Sequence, residues 1–97
     1  MRSIAMFLDN EGRIKQFPAK GQAKRAVLAY LAEKFSCDRD YTQKEVNAII
    51  SDWHTFDDYF LLRRELIDAG LLGRVRDGSR YWKEQSEELS QDNENVF

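Results

Sequence analysis

The chain contains one histidine and one cysteine, the two side chains best suited to metal binding or nucleophilic chemistry. His54 with Asp57 or Asp58 offers two metal ligands, but Cys37 belongs to a different loop. No Cys-x-x-Cys or His-x-x-x-His spacing completes a metal site. We therefore expect neither a metal ion nor another cofactor, and we predict that the His54 imidazole bonds a backbone carbonyl or Asp57 at a helix end.

The lone Cys37 cannot form a disulfide within the chain, which suits a reducing compartment. The neighbouring Arg39 makes a redox-sensitive thiol one alternative, but Asp38 and Asp40 oppose it, so we predict an inert loop cysteine. The sequence also lacks a glycine-rich phosphate loop, a nucleophile elbow and a paired-carboxylate pattern. We therefore expect no enzymatic activity.

Basic and polar side chains are the stronger functional candidates, because they bind phosphates and the edges of bases. As candidate DNA-binding residues we select Lys20, Lys24, Arg25, Gln43, Lys44, Arg64, Arg74, Arg76 and Arg80. Those before Arg64 would grip the phosphate backbone, and Arg64 itself would meet a base edge or a phosphate. The last three would reach along the duplex from a hairpin.

Three predicted helices position these residues. Apolar residues spaced by three and four predict the first helix over residues 21–35, and residues 36–40 follow as a loop. Thr42 and Glu45 form a capping box at the start of the second helix. That helix should end near residues 54–55.

The third helix is predicted over residues 56–69 and ends in a left-handed C-cap at Gly70. At 100° per residue, Arg63 falls at the edge of the apolar face and Arg64 points to solvent. We expect Arg63 to pair with a nearby carboxylate. The predicted core face of this helix consists of Tyr59, Leu62, Leu66 and Ala69.

The charges of the third helix leave two interpretations open. As the recognition helix of a helix-turn-helix, it would lie in the major groove of DNA. However, Asp57 and Asp58 at its N-terminus suit the helix dipole and repel phosphate. Asp68, four residues after Arg64, offers that arginine a purely structural partner.

Two hairpins are predicted to flank the helices. The first joins strands at residues 4–8 and 13–17, and the second joins residues 72–76 and 80–82 around Asp77-Gly78. One residue of the adjacent pair Tyr81 and Trp82 should face inward. The predicted fold is α+β: a winged helix-turn-helix-like domain with three helices, an N-terminal β-hairpin and a C-terminal β-hairpin as the wing.

The net charge of −2 is distributed unevenly over the 97 residues. Residues 1–83 hold all 15 lysines and arginines against 12 acidic residues, whereas residues 84–97 hold five acidic residues and no basic one. We therefore predict a mildly basic domain at 1–83 and an acidic, disordered tail at 84–97. Without an apolar run of transmembrane length or a signal segment, we expect a cytoplasmic protein that makes no membrane contact.

Short motifs follow one another through most of the chain. They are Phe7-Leu8-Asp9, Gly12-Arg13-Ile14, Phe17-Pro18-Ala19-Lys20, Ala26-Val27-Leu28-Ala29-Tyr30-Leu31, Tyr41-Thr42, Glu45-Val46-Asn47, Leu62-Arg63-Arg64-Glu65-Leu66, Gly70-Leu71-Leu72 and Gly78-Ser79-Arg80-Tyr81-Trp82. Over residues 7–83 this series resembles a small bacterial family known as domain of unknown function 2087. Residues 55–58 depart from the family, because they make a longer turn than is usual there.

The resemblance implies a regulatory role and supplies no catalytic or ligand-binding residues. Members of that family occur alone or fused behind winged-helix repressor domains of the arsenical-resistance type, and many are described as transcriptional regulators. Our first hypothesis is therefore a non-enzymatic bacterial transcriptional regulator that binds double-stranded DNA. Because another domain already reads DNA in the fused members, the alternative is a protein-interaction or ligand-sensing module. Such a module would form a homodimer or bind a regulatory protein without direct DNA contact.

Overall fold

Three helices and a three-stranded antiparallel sheet make up residues 4–84, the part of the chain that the computed structural model describes. In chain order the elements are a 3₁₀ turn at Ala5–Phe7, α1 at Gly21–Ala32, β1 at Asp40–Tyr41, α2 at Gln43–Asp52, α3 at Tyr59–Asp68, β2 at Leu72–Arg74 and β3 at Tyr81–Lys83. The predicted α+β class with three helices is confirmed. Apart from Glu84, the predicted acidic tail lies outside the described residues.

One hydrophobic core joins the helices to the sheet. Its members include Ile14, Val27, Leu28, Leu31, Phe35, Tyr41, Val46, Ile50, Leu62, Leu66, Leu72 and Tyr81. Tyr59 and Ala69 were predicted on the core face of the third helix and are exposed instead, because they lie at its two ends. Within residues 4–84, no helix combines the length and the apolar character that crossing a bilayer requires.

The N-terminal segment differs from the predicted pair of strands. Ala5–Phe7 forms a 3₁₀ turn, and one antiparallel bridge between Leu8 and Ile14 is what remains of the hairpin. Asp9 closes the intervening turn by accepting two backbone N–H groups, each at 2.9 Å. Ile14 also forms a parallel bridge with His54. The segment predicted as the second strand is therefore paired with the connection between α2 and α3.

β1 occupies part of a segment that the sequence predicted to be a loop. The preceding helix ends at Ala32, and turn hydrogen bonds carry the chain onward. The buried Tyr41 accepts the Ser36 N–H on its hydroxyl at 2.7 Å, and its ring meets Phe35 edge-on with centroids 5.3 Å apart. This side chain anchors β1 against the end of α1.

The sheet has the order β1-β3-β2, with β3 in the centre and antiparallel to both neighbours. β2 is two residues shorter than the predicted strand at 72–76, and β3 is shifted by one residue from the predicted strand at 80–82. The turn at Asp77-Gly78 is confirmed by an N–H···O bond of 2.9 Å from Gly78 to Val75. Tyr81 is buried and Trp82 is partly exposed. The prediction that one of these two rings faces inward is therefore confirmed.

The capping box at the start of α2 is confirmed in both directions. The Thr42 N–H donates to Glu45 Oε1 at 2.8 Å, and the Glu45 N–H donates to Thr42 Oγ1 at 3.1 Å. Arg39 Nη2 lies 3.0 Å from the same carboxylate oxygen. The hydrogen bond from the Thr42 backbone, followed by that from Arg39, lowers the pKa of Glu45 below its ordinary value of 4.5.

His54 connects the end of α2 to the beginning of α3 and is only 4% exposed. Its Nδ1 lies 2.7 Å from the Ile50 carbonyl oxygen, and its Nε2 accepts the Asp58 N–H at 2.8 Å. A neutral imidazole with its hydrogen on Nδ1 satisfies both contacts. The predicted bond from His54 to a backbone carbonyl is confirmed.

α3 begins three residues later than predicted. Asp57 has a φ of 53°, a left-handed conformation that cannot continue into a right-handed helix. Asp58 then caps α3 by accepting the Leu61 N–H on its carboxylate at 3.2 Å. Because His54 binds the backbone N–H of Asp58, the imidazole determines where the helix starts.

The predicted left-handed cap at the end of α3 is confirmed. Gly70 has a φ of +78°, which glycine adopts without the penalty that a Cβ atom would bring. The Leu71 N–H donates to the Leu66 carbonyl and the Gly70 N–H donates to the Ile67 carbonyl, each at 3.0 Å. This double hydrogen bond is a Schellman motif, and it turns the chain directly into β2.

We expect Glu45→Gln to lower the melting temperature at pH 7 and to have little effect in acid. Because the folded-state pKa of Glu45 is lowered, its carboxylate stabilises the fold above pH 4.5, and this contribution is lost as the pH falls through the lowered pKa. Thermal melts of both proteins from about pH 7 to about pH 3 measure the difference. Glu33→Gln is the control, since within residues 4–84 the Glu33 carboxylate makes no bond. A pH-independent difference for Glu45→Gln would contradict the role of its charge.

We expect His54→Leu to lower the free energy of unfolding by about 1 kcal/mol, the contribution of a typical hydrogen bond, because a part-buried donor loses its acceptor. The group that loses its partner is the Asp58 N–H. The other partner of the imidazole, the Ile50 carbonyl, still accepts the Trp53 N–H at 3.0 Å. Urea unfolding followed by circular dichroism measures the change. The neighbouring variant Thr55→Ala should unfold like the wild type, and equal stability of His54→Leu would show that the imidazole does not hold the two helices.

Candidate nucleic-acid interface

Two shallow grooves run along opposite sides of α3. The arginine groove is lined by Gln43, Phe60, Arg63, Arg64, Ile67, Asp68, Arg74 and Tyr81. The lysine groove is lined by Lys20, Gly21, Gln22, Lys24, Arg25, Leu28, Glu65, Asp68 and Ala69. Asp68 lines both grooves, so the exposed side of α3 forms the ridge between them.

The start of α2 and the hairpin meet in the arginine groove. Gln43, the first residue of α2, accepts the Tyr81 hydroxyl on its Oε1 at 3.2 Å. Arg74 extends from β2, and its Nη1 donates to the Arg76 carbonyl at 3.1 Å and to the Val75 carbonyl at 3.4 Å. The Arg74 guanidinium is thus hydrogen-bonded to uncharged oxygens of the turn, and its charge also acts on the Asp77 carboxylate.

Arg63 is half-buried at the edge of the core, as predicted, but its expected carboxylate partner is wrong. Its Nη1 donates to the amide oxygen of Asn47 on α2 at 2.5 Å. The Arg63 guanidinium carbon also lies 5.3 Å from the ring centroid of Phe60 and 5.9 Å from that of Tyr59. An amide occupies the facing position of α2, so the guanidinium is anchored and not neutralised.

Arg64 is the most outward arginine of α3. Its Nε lies 3.9 Å from Asp68 Oδ2, and the two side chains are 70% and 64% exposed. The prediction that Asp68 can pair with Arg64 is therefore confirmed. An exposed ion pair of this length contributes little to stability, so a partner can replace Asp68 at small cost.

The lysine groove combines one paired and two unpaired cations. Lys24 Nζ lies 3.0 Å from Glu65 Oε1, and this pair links α1 to α3. Lys20 occupies the N-cap position of α1, and Arg25 lies one turn further along the helix. Neither of these two side chains has a carboxylate within ion-pair distance among residues 4–84.

Arg76 and Arg80 lie together around the hairpin turn. Arg80 Nε lies 3.5 Å from Asp40 Oδ2 on β1, and its guanidinium carbon is 5.6 Å from the Trp82 ring. Hydrogen bonds from the Ser79 hydroxyl and the Ser79 amide lower the pKa of Asp77 below its ordinary value of 3.8. The turn therefore carries one carboxylate between its two arginines.

Eight of the nine candidate residues thus fall into three neighbouring groups, two of which flank α3. Gln43, Arg64 and Arg74 share the arginine groove; Lys20, Lys24 and Arg25 share the lysine groove; and Arg76 and Arg80 share the hairpin turn. Lys44 is exposed at the second position of α2. Six basic residues of this surface have no carboxylate within ion-pair distance in the described part of the chain: Lys20, Arg25, Lys44, Arg63, Arg74 and Arg76.

Residues 4–84 contain no cluster of three His, Cys, Asp or Glu side chains that would hold a metal ion. Cys37 is an exposed free thiol. Phe60 lines the arginine groove and Asn47 holds its Arg63, and neither residue was selected from the sequence. The spacing of four between Phe60 and Arg64 places both on one side of the helix, which is the signal that would have revealed Phe60.

The chain was compared with known proteins and with families of related sequences. No curated protein and no solved structure matches it. The sequence model of a bacterial family, described as "Uncharacterized protein conserved in bacteria (DUF2087)", matches residues 13–83. This stretch is 71 of the 97 residues and contains all three helices and the sheet. The chain therefore belongs to the DUF2087 family.

Proposed function

We propose that this protein is a non-enzymatic DNA-binding regulator of transcription that uses both sides of α3 to hold a duplex. The observation that carries the proposal is the set of six basic side chains, on and near the exposed side of α3, that have no carboxylate within ion-pair distance among the described residues. Each phosphate contact made by such a side chain releases counterions from DNA, which favours binding at moderate salt.

The order of the elements supports a winged helix-turn-helix arrangement. α2 and α3 follow one another across a six-residue connection, residues 53–58, and α3 leads through Gly70 into the β2–β3 hairpin. In this arrangement α3 is the recognition helix and the hairpin is the wing. β1 adds to the hairpin as a third strand and fixes the wing to the helical part of the domain.

The proposed complex places α3 in the major groove of DNA. Arg64 then faces base edges, where a guanidinium donates to guanine O6 and N7. Lys44 and the N-terminal N–H groups of α2 meet phosphates on one side of the groove, since a helix N-terminus attracts anions. Lys20 and Arg25 meet phosphates on the other side, and Arg76 reaches along the duplex from the hairpin.

The acidic residues of α3 do not prevent this arrangement. The Asp58 carboxylate is engaged at the N-cap by the Leu61 N–H, and the Asp68 carboxylate is already close to Arg64. Glu65 is likewise engaged by Lys24. In the free protein each of these three carboxylates therefore already has a partner within the domain.

The alternative, a protein-interaction or ligand-sensing module, draws its support from exposed apolar rings. Phe60 is 57% exposed and Tyr59 is 39% exposed on the first turn of α3. Such rings are common at protein interfaces, where aromatic residues and arginine are enriched. This alternative requires a stable homodimer or partner complex that is indifferent to added DNA.

Fluorescence anisotropy of a labelled random-sequence duplex, titrated with the full chain, tests the proposal. We expect a dissociation constant of about 10⁻⁴–10⁻⁶ M that rises steeply with salt. Lys44→Ala and Arg64→Ala should each weaken binding, and the loss of a phosphate contact should reduce the slope of log affinity against log salt by about 1.

Lys15→Ala is the matched control, because Lys15 is exposed, lacks an ion-pair partner among the described residues and lines neither groove. It should bind DNA like the wild type. Absence of binding at low salt, or equal losses for all three variants, would contradict the proposed interface. If the protein sediments as a stable dimer and its sedimentation does not change when DNA is added, the alternative is favoured.

A further inference from the structure

We propose that Phe60 reads the C5-methyl group of thymine in the major groove, so that the protein prefers A·T base pairs beneath the first turn of α3. This inference rests on the proposed DNA-binding function and adds to it a residue that determines sequence preference. It begins from the exposure of one aromatic ring. Phe60 is 57% exposed, although the other phenylalanines of the described chain are buried or half-buried.

The fold does not require this ring. α3 contributes Leu62 and Leu66 to the core, and both are fully buried. Phe60 lies on the outer side of the helix and lines the arginine groove. More than half of its surface is therefore available to a partner.

The neighbours of Phe60 indicate the chemistry of that partner. Arg63, Arg64 and Arg74 line the same groove, and the Arg63 guanidinium carbon lies 5.3 Å from the centre of the ring. Among the described residues, Arg64 is the only one of these three arginines with a carboxylate within ion-pair distance. A groove with three guanidiniums beside an apolar ring fits a polyanion that also presents apolar groups, which describes the major groove of a thymine-containing duplex.

The contact is specific because thymine is the one standard base that offers an apolar group there. In the major groove, A, G and C present hydrogen-bonding atoms, whereas T adds a methyl group that phenylalanine can contact. Arg64 lies four residues after Phe60 and therefore projects from the same side of α3. The ring and the guanidinium would thus contact neighbouring base pairs.

The position of the ring is partly fixed before binding. Arg63 is held by the amide oxygen of Asn47 on α2, so the guanidinium beside Phe60 has a defined place. A phenylalanine side chain has only two rotatable bonds, and ordering it on DNA costs little entropy. These features favour a directional contact over a loose apolar one.

The test compares two duplexes of alternating A·T sequence. One contains thymidine, and in the other every thymidine is replaced by deoxyuridine. Deoxyuridine keeps the hydrogen-bonding atoms and lacks the methyl group, and the alternating sequence presents that change in every register. Wild-type affinity should fall about fourfold on the deoxyuridine duplex, the effect of burying roughly one methyl group. Phe60→Ala should bind both duplexes equally and bind the thymidine duplex about fourfold more weakly than the wild type does.

Met6→Ala is the matched control, because Met6 is also an exposed apolar residue, at 71%, and does not line the arginine groove. It should keep the wild-type preference for thymidine. Thermal melting should show nearly unchanged stability for Phe60→Ala. If this variant does not fold, the affinities of the wild-type protein for the two duplexes still test the methyl contact.

The outcomes separate this inference from the proposed function. A wild-type protein that binds neither duplex overturns the DNA-binding function itself. Equal wild-type affinity for both duplexes, or a preference that survives in Phe60→Ala, overturns the methyl contact alone. A wild-type dimer that Phe60→Ala dissociates, with the thymidine preference unaffected, would assign the ring to a protein interface and also overturn the inference.

Discussion

The two hydrogen bonds of the buried His54 imidazole determine how α2 and α3 are joined. One ring nitrogen is bound at the last turn of α2, through Ile50, and the other receives the backbone N–H of Asp58 just before α3. Ile14 strengthens the same connection, since its N–H donates to the Trp53 carbonyl at 2.7 Å and its carbonyl accepts the Thr55 N–H at 2.9 Å. The N-terminal segment and the imidazole therefore hold the connection from two directions, and the direction of α3 follows from them.

The hairpin depends on a different constraint, the close approach of a ring to a glycine. A Cβ atom on Gly73 would lie 2.5 Å from two atoms of the Trp82 indole, so the ring packs directly over the β2 backbone. The indole N–H donates to the Glu84 carboxylate at 3.0 Å, and Arg80 lies above the same ring. β3 is thereby fixed against β2, and its hydroxyl-bearing Tyr81 reaches the first residue of α2. These contacts connect the hairpin to the start of α2 at the arginine groove.

The distribution of charge follows from which side chains the frame brings together. Lys24, Arg64 and Arg80 each meet a carboxylate, and each of these pairs is at least partly exposed. Arg63 is held by an amide oxygen and Arg74 by backbone carbonyls. These uncharged acceptors orient the two guanidinium groups without an ion pair. Although the net charge of the chain is only −2, its surface thus contains cations that are held in place at Arg63 and Arg74. The proposals made for α3 depend on this arrangement and not on the net charge of the chain.

The sequence by itself determined the features whose partners lie within a few residues. The Thr42–Glu45 capping box, the left-handed cap at Gly70 and the turn at Asp77-Gly78 are local hydrogen-bonded motifs, so their residue types predicted them correctly. The family was also recognised correctly from motifs along the chain. Amphipathic spacing located the three helices, although their ends shifted by several residues.

Only the tertiary structure decided the features that depend on distant partners. β1 is two residues long and exists because the Tyr41 ring packs on Phe35 and its strand pairs with β3, some forty residues later. The start of α3 depends on His54, and the partner of Arg63 is an amide 16 residues earlier, on another helix. The grouping of the candidate residues around α3 has the same origin. Spacing along a chain sets which side of an element a residue occupies, whereas the packing of elements determines what that side chain meets.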